Sequence, residues 1–241
     1  MSRRPGALGE RQIAGPNTTA QHAVEGLRRA LVSGELSPGD KVLQEELAAS
    51  LGVSLAPVRE ALAILEQEGQ VTYLPRRGYF VTELDVDDLR EIYELRELLE
   101  ERAVRRTLPL LDDDALERVA LAARDCAEAV DGGDVAAELE ANRRFHFALL
   151  DSPGQAHTLR LIQLLWDSTE TYRAMYYNAP EARYEAIAAH DRILEAARAH
   201  DADRLVAELD EHRRKALAQL EETFGSPGAG NAEKSASRPG G

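Results

Sequence analysis

The sequence predicts a mainly α-helical protein, in which an N-terminal winged helix-turn-helix is followed by an all-α bundle of six helices. Apolar residues recur at helical spacing through most of the 241 residues. Aromatic residues make up only 5% of the chain and alanine is abundant, which favours helix over sheet. Only residues 71–74 and 79–82 have the β-branched and aromatic character of strands, and a turn lies between them.

Composition and charge divide the chain into four parts. Residues 1–17 and 225–241 are rich in Gly, Pro and polar residues, and we expect both to be disordered tails. Between them we expect a DNA-binding domain over residues 18–83 and a helical domain over residues 84–224. The net charge of −14 is unequally divided, with −1 in residues 1–83 and −13 in the remainder. An acidic module repels nucleic acid, so contact with DNA is left to the first domain.

Three features predict a cytoplasmic protein without a membrane segment. No apolar run approaches the ~20 residues that a membrane helix needs. Residues 1–16 lack the apolar stretch of a secretory signal. Cys126 is the only cysteine, which excludes an internal disulfide and fits a reducing compartment.

The first domain contains the elements of a helix-turn-helix followed by a hairpin. Gly52 permits a tight turn before the third helix, and Ser54 can cap that helix at its N-terminus. Pro75 begins the hairpin turn. The predicted helices cover residues 18–34, 44–51 and 54–68.

The N-terminal end of a recognition helix enters the major groove, so the exposed residues of its first turn are candidates for reading bases. Arg59 can pair with guanine or bind a phosphate, and the arginines of the hairpin suit a phosphate or the minor groove. Arg59 alone could equally be a surface residue paired with Glu60 or Glu66. The order of these features together favours binding to double-stranded DNA. The candidate DNA-contacting residues are Ser54, Leu55, Ala56, Arg59, Arg76, Arg77 and Gly78.

The second domain is helical throughout, and its short connections predict antiparallel neighbours. Such a bundle could serve dimerisation alone. Polar residues on its apolar faces would indicate a binding site in addition. The predicted helices cover residues 85–107, 112–131, 134–151, 155–178, 181–199 and 202–223.

Four polar residues of this domain are candidate metal ligands. Asn142 and His146 are four residues apart, so they share one face of a helix next to Phe145. His190 and His212 lie on two later helices. Three imidazoles with an amide oxygen or a water form a plausible site for a divalent ion. Each histidine taken alone is more often an ordinary residue, and no short metal-binding motif connects them.

Arg96 is the candidate for binding an acidic ligand. Tyr93, Arg96 and Glu100 share a helix face. The side chain of Arg96 could form an ion pair with Glu100 within the helix. Alternatively, Arg96 and Tyr93 could face a cavity, where the guanidinium would bind the carboxylate of an effector.

The first domain resembles the GntR family of bacterial regulators over nearly all of residues 18–83. The family usually has Arg-Thr where this chain has Leu55 and Ala56. That arginine commonly contacts DNA, so we expect an altered operator, in which Leu55 could meet a thymine methyl group. The residues that carry the resemblance are 43–48 (LQEELA), 51–54 (LGVS), 56–62 (APVREAL), Leu65, 68–69 (EG) and 75–78 (PRRG).

Residues 85–223 resemble the FCD ligand-binding domain of the FadR subfamily, and the count of six helices is similar to its VanR-like branch. The motifs are 95–100 (LRELLE), 142–146 (NRRFH), 190–196 (HDRILEA) and 212–213 (HR).

In metal-binding members of the FCD family, an aspartate precedes the first of three histidine ligands by four residues. The resemblance therefore implies a metal site at Asn142, His146, His190 and His212, with an asparagine in place of the aspartate. It implies zinc as the ion, with nickel and manganese as alternatives. It also implies a role for Arg96 in binding a small organic-acid effector.

Together these features predict a non-enzymatic transcription regulator. We expect a homodimeric repressor that binds a palindromic operator and releases it when the effector binds. A sensor for which the ion itself is the signal is an alternative, and a metal-dependent hydrolase is another. A third alternative is that the metal is only structural or that the site holds no metal.

Overall fold

The computed structural model describes residues 18–176 and 180–224, so both predicted tails lie outside the described residues. The first domain contains three helices and a two-stranded antiparallel sheet. Its elements are α1 (Thr18–Val32), α2 (Gln44–Leu51), α3 (Leu55–Gln67), β1 (Val71–Leu74) and β2 (Gly78–Val81).

The core of the first domain lies between α1 and α3, where Leu27, Leu62 and Leu65 are fully buried. Gly52 ends α2 with a φ of 66°, a left-handed conformation that glycine adopts without strain. Ser54 occupies the N-cap position of α3 as predicted, but its side chain makes no capping hydrogen bond.

The hairpin that follows α3 forms the wing. β1 pairs with β2 from Val71 opposite Val81 to Leu74 opposite Gly78. The chain reverses with Arg76 at a φ of 66° and Gly78 at 97°. The segment before α2 joins this sheet through an isolated bridge between Lys41 and Phe80, which the sequence did not predict.

The second domain is an all-helical bundle. Its helices α4, α5 and α6 each begin at an aspartate whose side chain accepts a hydrogen bond from a backbone N–H of the first turn. The core contains the fully buried Phe145, Ile162 and Ile193. The helices are α4 (Val86–Thr107), α5 (Asp113–Gly132), α6 (Val135–Leu150), α7 (Ala156–Ser168), α8 (Glu170–Tyr176), α9 (Pro180–Arg198) and α10 (Ala202–Phe224), with a 3₁₀ turn at Leu108–Leu110.

The single helix predicted over residues 155–178 is wrong, because the structure divides this segment at Thr169. The hydroxyl of Thr169 donates to the carbonyl oxygens of Leu165 or Trp166, and Arg173 also donates to the oxygen of Trp166. These side chains satisfy the last carbonyls of α7, so the helix ends there. The described part of the second domain therefore has seven α-helices and not six.

Helix α8 also contacts the first domain. The Tyr172 hydroxyl accepts a hydrogen bond of 2.6 Å from the backbone N–H of Leu84, in the segment that joins the two domains. The side-chain amide of Gln70 donates to Glu170 at 3.4 Å. The short helix thus contacts both the first domain, including α1, and the neighbouring helices of the bundle.

No single helix in the described ranges has the length and apolar character needed to cross a membrane. Helices α2 and α3 reach that length only as a pair, and the pair is bent by 112°.

Candidate functional site

Three histidines from three helices meet inside the second domain. His146 lies on α6, His190 on α9 and His212 on α10, and their candidate ligand atoms all lie within 4.8 Å of one another. Their ring centroids are 5.1–5.5 Å apart. Imidazoles that share one ion at metal–nitrogen distances of about 2.0–2.1 Å have centroids about 5 Å apart. The spacing therefore fits a common ion.

Burial keeps these histidines neutral. It lowers the pKa of His146 and of His190 well below the ordinary value, and the neighbouring His212 lowers both further. Burial and then the charge of Arg213 lower the pKa of His212 to about 4. A neutral imidazole is the form that binds a metal ion, so no proton must leave these rings at neutral pH.

Several buried polar atoms of the cluster lack a partner among the described residues. Both ring nitrogens of His190 and the side-chain oxygen of Asn142 are buried without a hydrogen bond. Each such group costs about 1–3 kcal/mol if it stays unsatisfied. Nitrogen and amide-oxygen donors of this kind suit a borderline divalent cation. The residues present therefore fit a metal ion.

A small cavity adjoins the histidines. Its volume is about 30 Å³, which is close to the share of one molecule in liquid water. Of the predicted effector residues, both Tyr93 and Arg96 line it. The lining residues are Tyr93, Arg96, Asn142, His146, Trp166, Arg173, His212, Arg213, Ala216 and Leu220.

Glu100 links the cavity arginines to one another. Its carboxylate accepts hydrogen bonds from Arg96 at 2.9 Å, from Trp166 at 2.7 Å and from Arg213 at 2.5 Å. Burial alone would raise the pKa of Glu100, but the charges of Arg96 and Arg213 and two of these hydrogen bonds lower it below the ordinary value. The carboxylate is therefore ionised at neutral pH.

Arg96 makes the ion pair with Glu100 within its helix and also faces a cavity, while its binding of an effector carboxylate stays a prediction. Its guanidinium lies 4.8 Å from the ring centroid of Tyr93 and 4.3 Å from that of Trp166. These contacts hold the guanidinium in one orientation.

Sequence reasoning missed the roles of Arg173 and Arg213 in this cavity. Arg213 directly follows a histidine ligand candidate, which is a signal that could have pointed to it. No sequence signal pointed to Arg173, because it reaches the cavity only through the break between α7 and α8. The aromatic ring of Trp166 also lines the cavity.

The candidate DNA-contacting residues lie together on the first domain. Leu55 and Arg59 of α3 line one groove with Arg77 and Gly78 of the wing. Ser54, Ala56 and Arg76 are exposed nearby in the chain.

The same groove contains residues that sequence reasoning did not select. Lys41 and Gln44 line it, as do the acidic Glu45 and Glu46. Gln44 accepts a hydrogen bond of 3.2 Å from Arg59. Glu60 and Glu66 were the alternative partners that we considered for Arg59. Neither forms an ion pair with Arg59 in the described structure.

Two protein families match this chain. The FCD domain matches residues 91–215, which is about half of the chain, and the family of bacterial regulatory proteins named gntR matches residues 19–81. The chain belongs to the GntR family and carries an FCD domain. This GntR regulator thus combines an N-terminal helix-turn-helix with a helical FCD domain, in agreement with the predicted fold class.

Individual relatives agree with this assignment. The chain is 30% identical over 208 residues to the HTH-type transcriptional regulator BphR of Paraburkholderia xenovorans, covering 83% of this chain and 84% of BphR. It is 29% identical over 170 residues to the regulator YdhC of Bacillus subtilis, covering 70% of this chain and 76% of YdhC. The solved structure of McbR/YncC from Escherichia coli superposes with a TM-score of 0.76 at 26% identity and covers 87% of this chain and all of that one. The family and these relatives are transcriptional regulators and not enzymes.

Proposed function

We propose that this GntR regulator is a homodimeric cytoplasmic repressor that binds a palindromic DNA operator and releases it when a small organic acid binds in the FCD domain. The acid would bind beside a divalent metal ion. The observation that carries this proposal is the buried cluster of His146, His190 and His212, which adjoins a cavity lined by Arg96.

The groove of the first domain supports the DNA-binding half of the proposal. The first turn of α3 would enter the major groove, and the two wing arginines would contact phosphates or the minor groove. Leu55 replaces the usual arginine, so it would contribute an apolar contact with a thymine methyl group. A symmetric dimer would present two such surfaces to two matching half-sites.

Replacing Arg59 by alanine is expected to weaken operator binding by about 5- to 150-fold, equal to about 1–3 kcal/mol, because a bidentate contact with a base or a phosphate is lost. The probe is a duplex that the wild-type protein selects from a random-sequence pool. Arg124→Ala is the matched control, since Arg124 is an exposed arginine paired with Glu117 on α5. Equal affinities of the two variants for this duplex would contradict the assigned contact.

His146, His190, His212 and the side-chain oxygen of Asn142 would hold the ion, with zinc favoured and nickel or manganese as alternatives. When bound, the ion supplies positive charge and a coordination position for a carboxylate oxygen. Asn142 contributes no charge at the position where metal-binding members of the FCD family usually have an aspartate, so the bound ion would attract an anionic ligand more strongly. Arg96 and Tyr93 would orient the carboxylate of that ligand.

The small cavity supports a link between ligand binding and conformation. A space of about 30 Å³ is well below the ~300 Å³ that is usual for a ligand pocket. An organic acid therefore has to displace lining side chains. Arg173 lines the cavity from α8, and the same helix contacts the first domain through Glu170 and through Tyr172, whose hydroxyl donates to the carbonyl oxygen of Thr82. Displacement of α8 would thus change how the two DNA-binding domains are arranged.

The test measures affinity for the selected duplex with zinc alone, and then with zinc and pyruvate, lactate, succinate or citrate. We expect one of these acid classes to weaken DNA binding at saturating zinc, to the extent that the acid prefers one arrangement of the domains. A full response to zinc alone would instead favour a metal sensor. An acid that binds by calorimetry but leaves the affinity for DNA unchanged would contradict the mechanism.

A further inference from the structure

A short connector joins the wing to the FCD domain. It covers residues 82–85, between the end of β2 and the start of α4. The backbone N–H of Thr82 donates a hydrogen bond of 3.0 Å to the carbonyl oxygen of Gln70, just before the wing, and the side chain of Asp85 caps α4. Each end of the connector is therefore fixed to one domain. Because the connector is so short, a change in its backbone conformation turns the wing relative to α4.

The hydroxyl of Tyr172 bonds to the middle of this connector. It accepts a hydrogen bond of 2.6 Å from the backbone N–H of Leu84, and it donates to the carbonyl oxygen of Thr82 at 3.4 Å or of Leu84 at 3.5 Å. Burial raises the pKa of Tyr172 to about 12, so the hydroxyl keeps the proton that it donates. One side chain of α8 thus meets three backbone groups of the connector.

Helix α8 also contributes to the wall of the cavity beside the histidines. Arg173 directly follows Tyr172 and lines that cavity. Its guanidinium lies 4.3 Å from the ring centroid of Trp166 and donates to the backbone oxygen of Trp166 at 3.1 Å. The cavity has a volume of about 30 Å³, so a ligand larger than water has to displace lining side chains such as Arg173. A displacement of Arg173 shifts α8, and with it the residue that is bonded to the connector.

The ring of Tyr172 packs behind the wall of the same cavity. It is 2% exposed and belongs to a buried apolar cluster with Leu89, Tyr93 and Leu220. Tyr93 and Leu220 line the cavity, whereas Tyr172 does not. Phenylalanine has the same ring, so packing alone does not require a hydroxyl at this position.

We propose that Tyr172 is a positioning residue, which transmits occupancy of the histidine cavity to the DNA-binding domain through the bonds of its hydroxyl to the connector. The inference rests on the proposed function, and it adds the contact through which the FCD domain controls the wing. Without the hydroxyl, the cavity still binds its ligand and the first domain still binds DNA, but the two events are no longer linked. The coupling between the two sites falls, whereas each separate affinity is retained.

The first experiment measures hydrogen exchange of the connector by mass spectrometry, in the wild type, Tyr172→Phe and Thr107→Val. Thr107 supplies the matched control, because its buried hydroxyl donates to the backbone oxygens of Ala103 or Leu150 at 3.0 Å, away from the connector. Both variants lose one buried hydroxyl, so a general loss of stability affects them alike.

Exchange at the backbone N–H of Leu84 is expected to be about fivefold or more faster in Tyr172→Phe, because this group loses its acceptor, and to be the same in Thr107→Val as in the wild type. Equal exchange in Tyr172→Phe and the wild type would show that the hydroxyl does not hold the connector, and the proposal would be wrong.

The second experiment measures the linkage itself. Affinity for the duplex selected by the wild type is determined at saturating zinc, without acid and then with pyruvate, lactate, succinate or citrate. We expect an acid that weakens DNA binding by the wild type about 5- to 150-fold to weaken binding by Tyr172→Phe less than about twofold, and binding by Thr107→Val as much as by the wild type. Metal content and affinity for DNA without acid should match the wild type in both variants, a result that a folding defect would not give.

The outcomes separate this proposal from the proposed function. A Tyr172→Phe protein that responds to the acid as the wild type does would overturn the role of Tyr172 and leave the proposed function intact. An equal loss of response in Thr107→Val would trace the effect to stability, and it too would overturn the role of the Tyr172 hydroxyl. A wild type that responds to none of the acids would overturn both proposals.

Discussion

Replacing Glu100 by glutamine is expected to lower the free energy of unfolding by about 3–5 kcal/mol, the usual effect of removing one partner of a buried ion pair. Glu100 is 1% exposed, and its carboxylate accepts hydrogen bonds from Arg96, Arg213 and Trp166. Glutamine keeps the size of the side chain but not its charge. Arg213 retains its pair with Asp210, whereas Arg96 is left buried without a counter-charge.

Glu117→Gln is the control for this variant, since Glu117 pairs with Arg124 on the surface, where the two side chains are 64% and 55% exposed. Exposed pairs contribute less than about 1 kcal/mol, so this control should stay close to the wild type. Urea unfolding measures both variants. If Glu100→Gln is no less stable than Glu117→Gln, the buried ion pairs of Glu100 do not stabilise the fold around the cavity.

Zinc at a thousand times its dissociation constant is expected to stabilise the wild type against unfolding by about 4 kcal/mol, because an ion that binds only the folded chain shifts the equilibrium by mass action. The physical reason lies in the unpartnered nitrogens of His190 and the oxygen of Asn142, which gain a partner when the ion binds. Unfolding of metal-stripped protein is compared with and without zinc.

The matched variants for this measurement are His146→Ala and His157→Ala. His146 belongs to the cluster, whereas His157 is an exposed residue on α7. The increase in stability should disappear in His146→Ala and persist in His157→Ala. A zinc effect that is equal in both variants would place the ion elsewhere.

The winged domain was predictable from local sequence. Its turns depend on single residues with a strong conformational preference, such as Gly52, and its helices show a regular apolar spacing. The histidines of the second domain were selected one by one from their helix faces and from a family resemblance. The structure adds their convergence, since spacing along the chain contains no information about which helix faces meet.

Contacts between distant parts of the chain were not predictable. The carboxylate of Glu100 meets Arg213 across 113 residues, and no local pattern identifies that pair. The end of α7 at Thr169 depends on side-chain hydrogen bonds to carbonyl oxygens, whereas the apolar periodicity continues through the break. The size of the cavity depends on the packing of five helices, which a sequence pattern does not fix.

The most direct test of the account is the metal content of the purified protein after incubation with zinc, nickel or manganese and removal of the excess. Wild type, His190→Ala and the control His157→Ala are compared by elemental analysis. The account predicts about one ion per chain in the wild type and the control, and loss of the ion in His190→Ala. A wild type that retains no metal, or a His190→Ala protein that retains as much as the control, would contradict the metal-centred effector site.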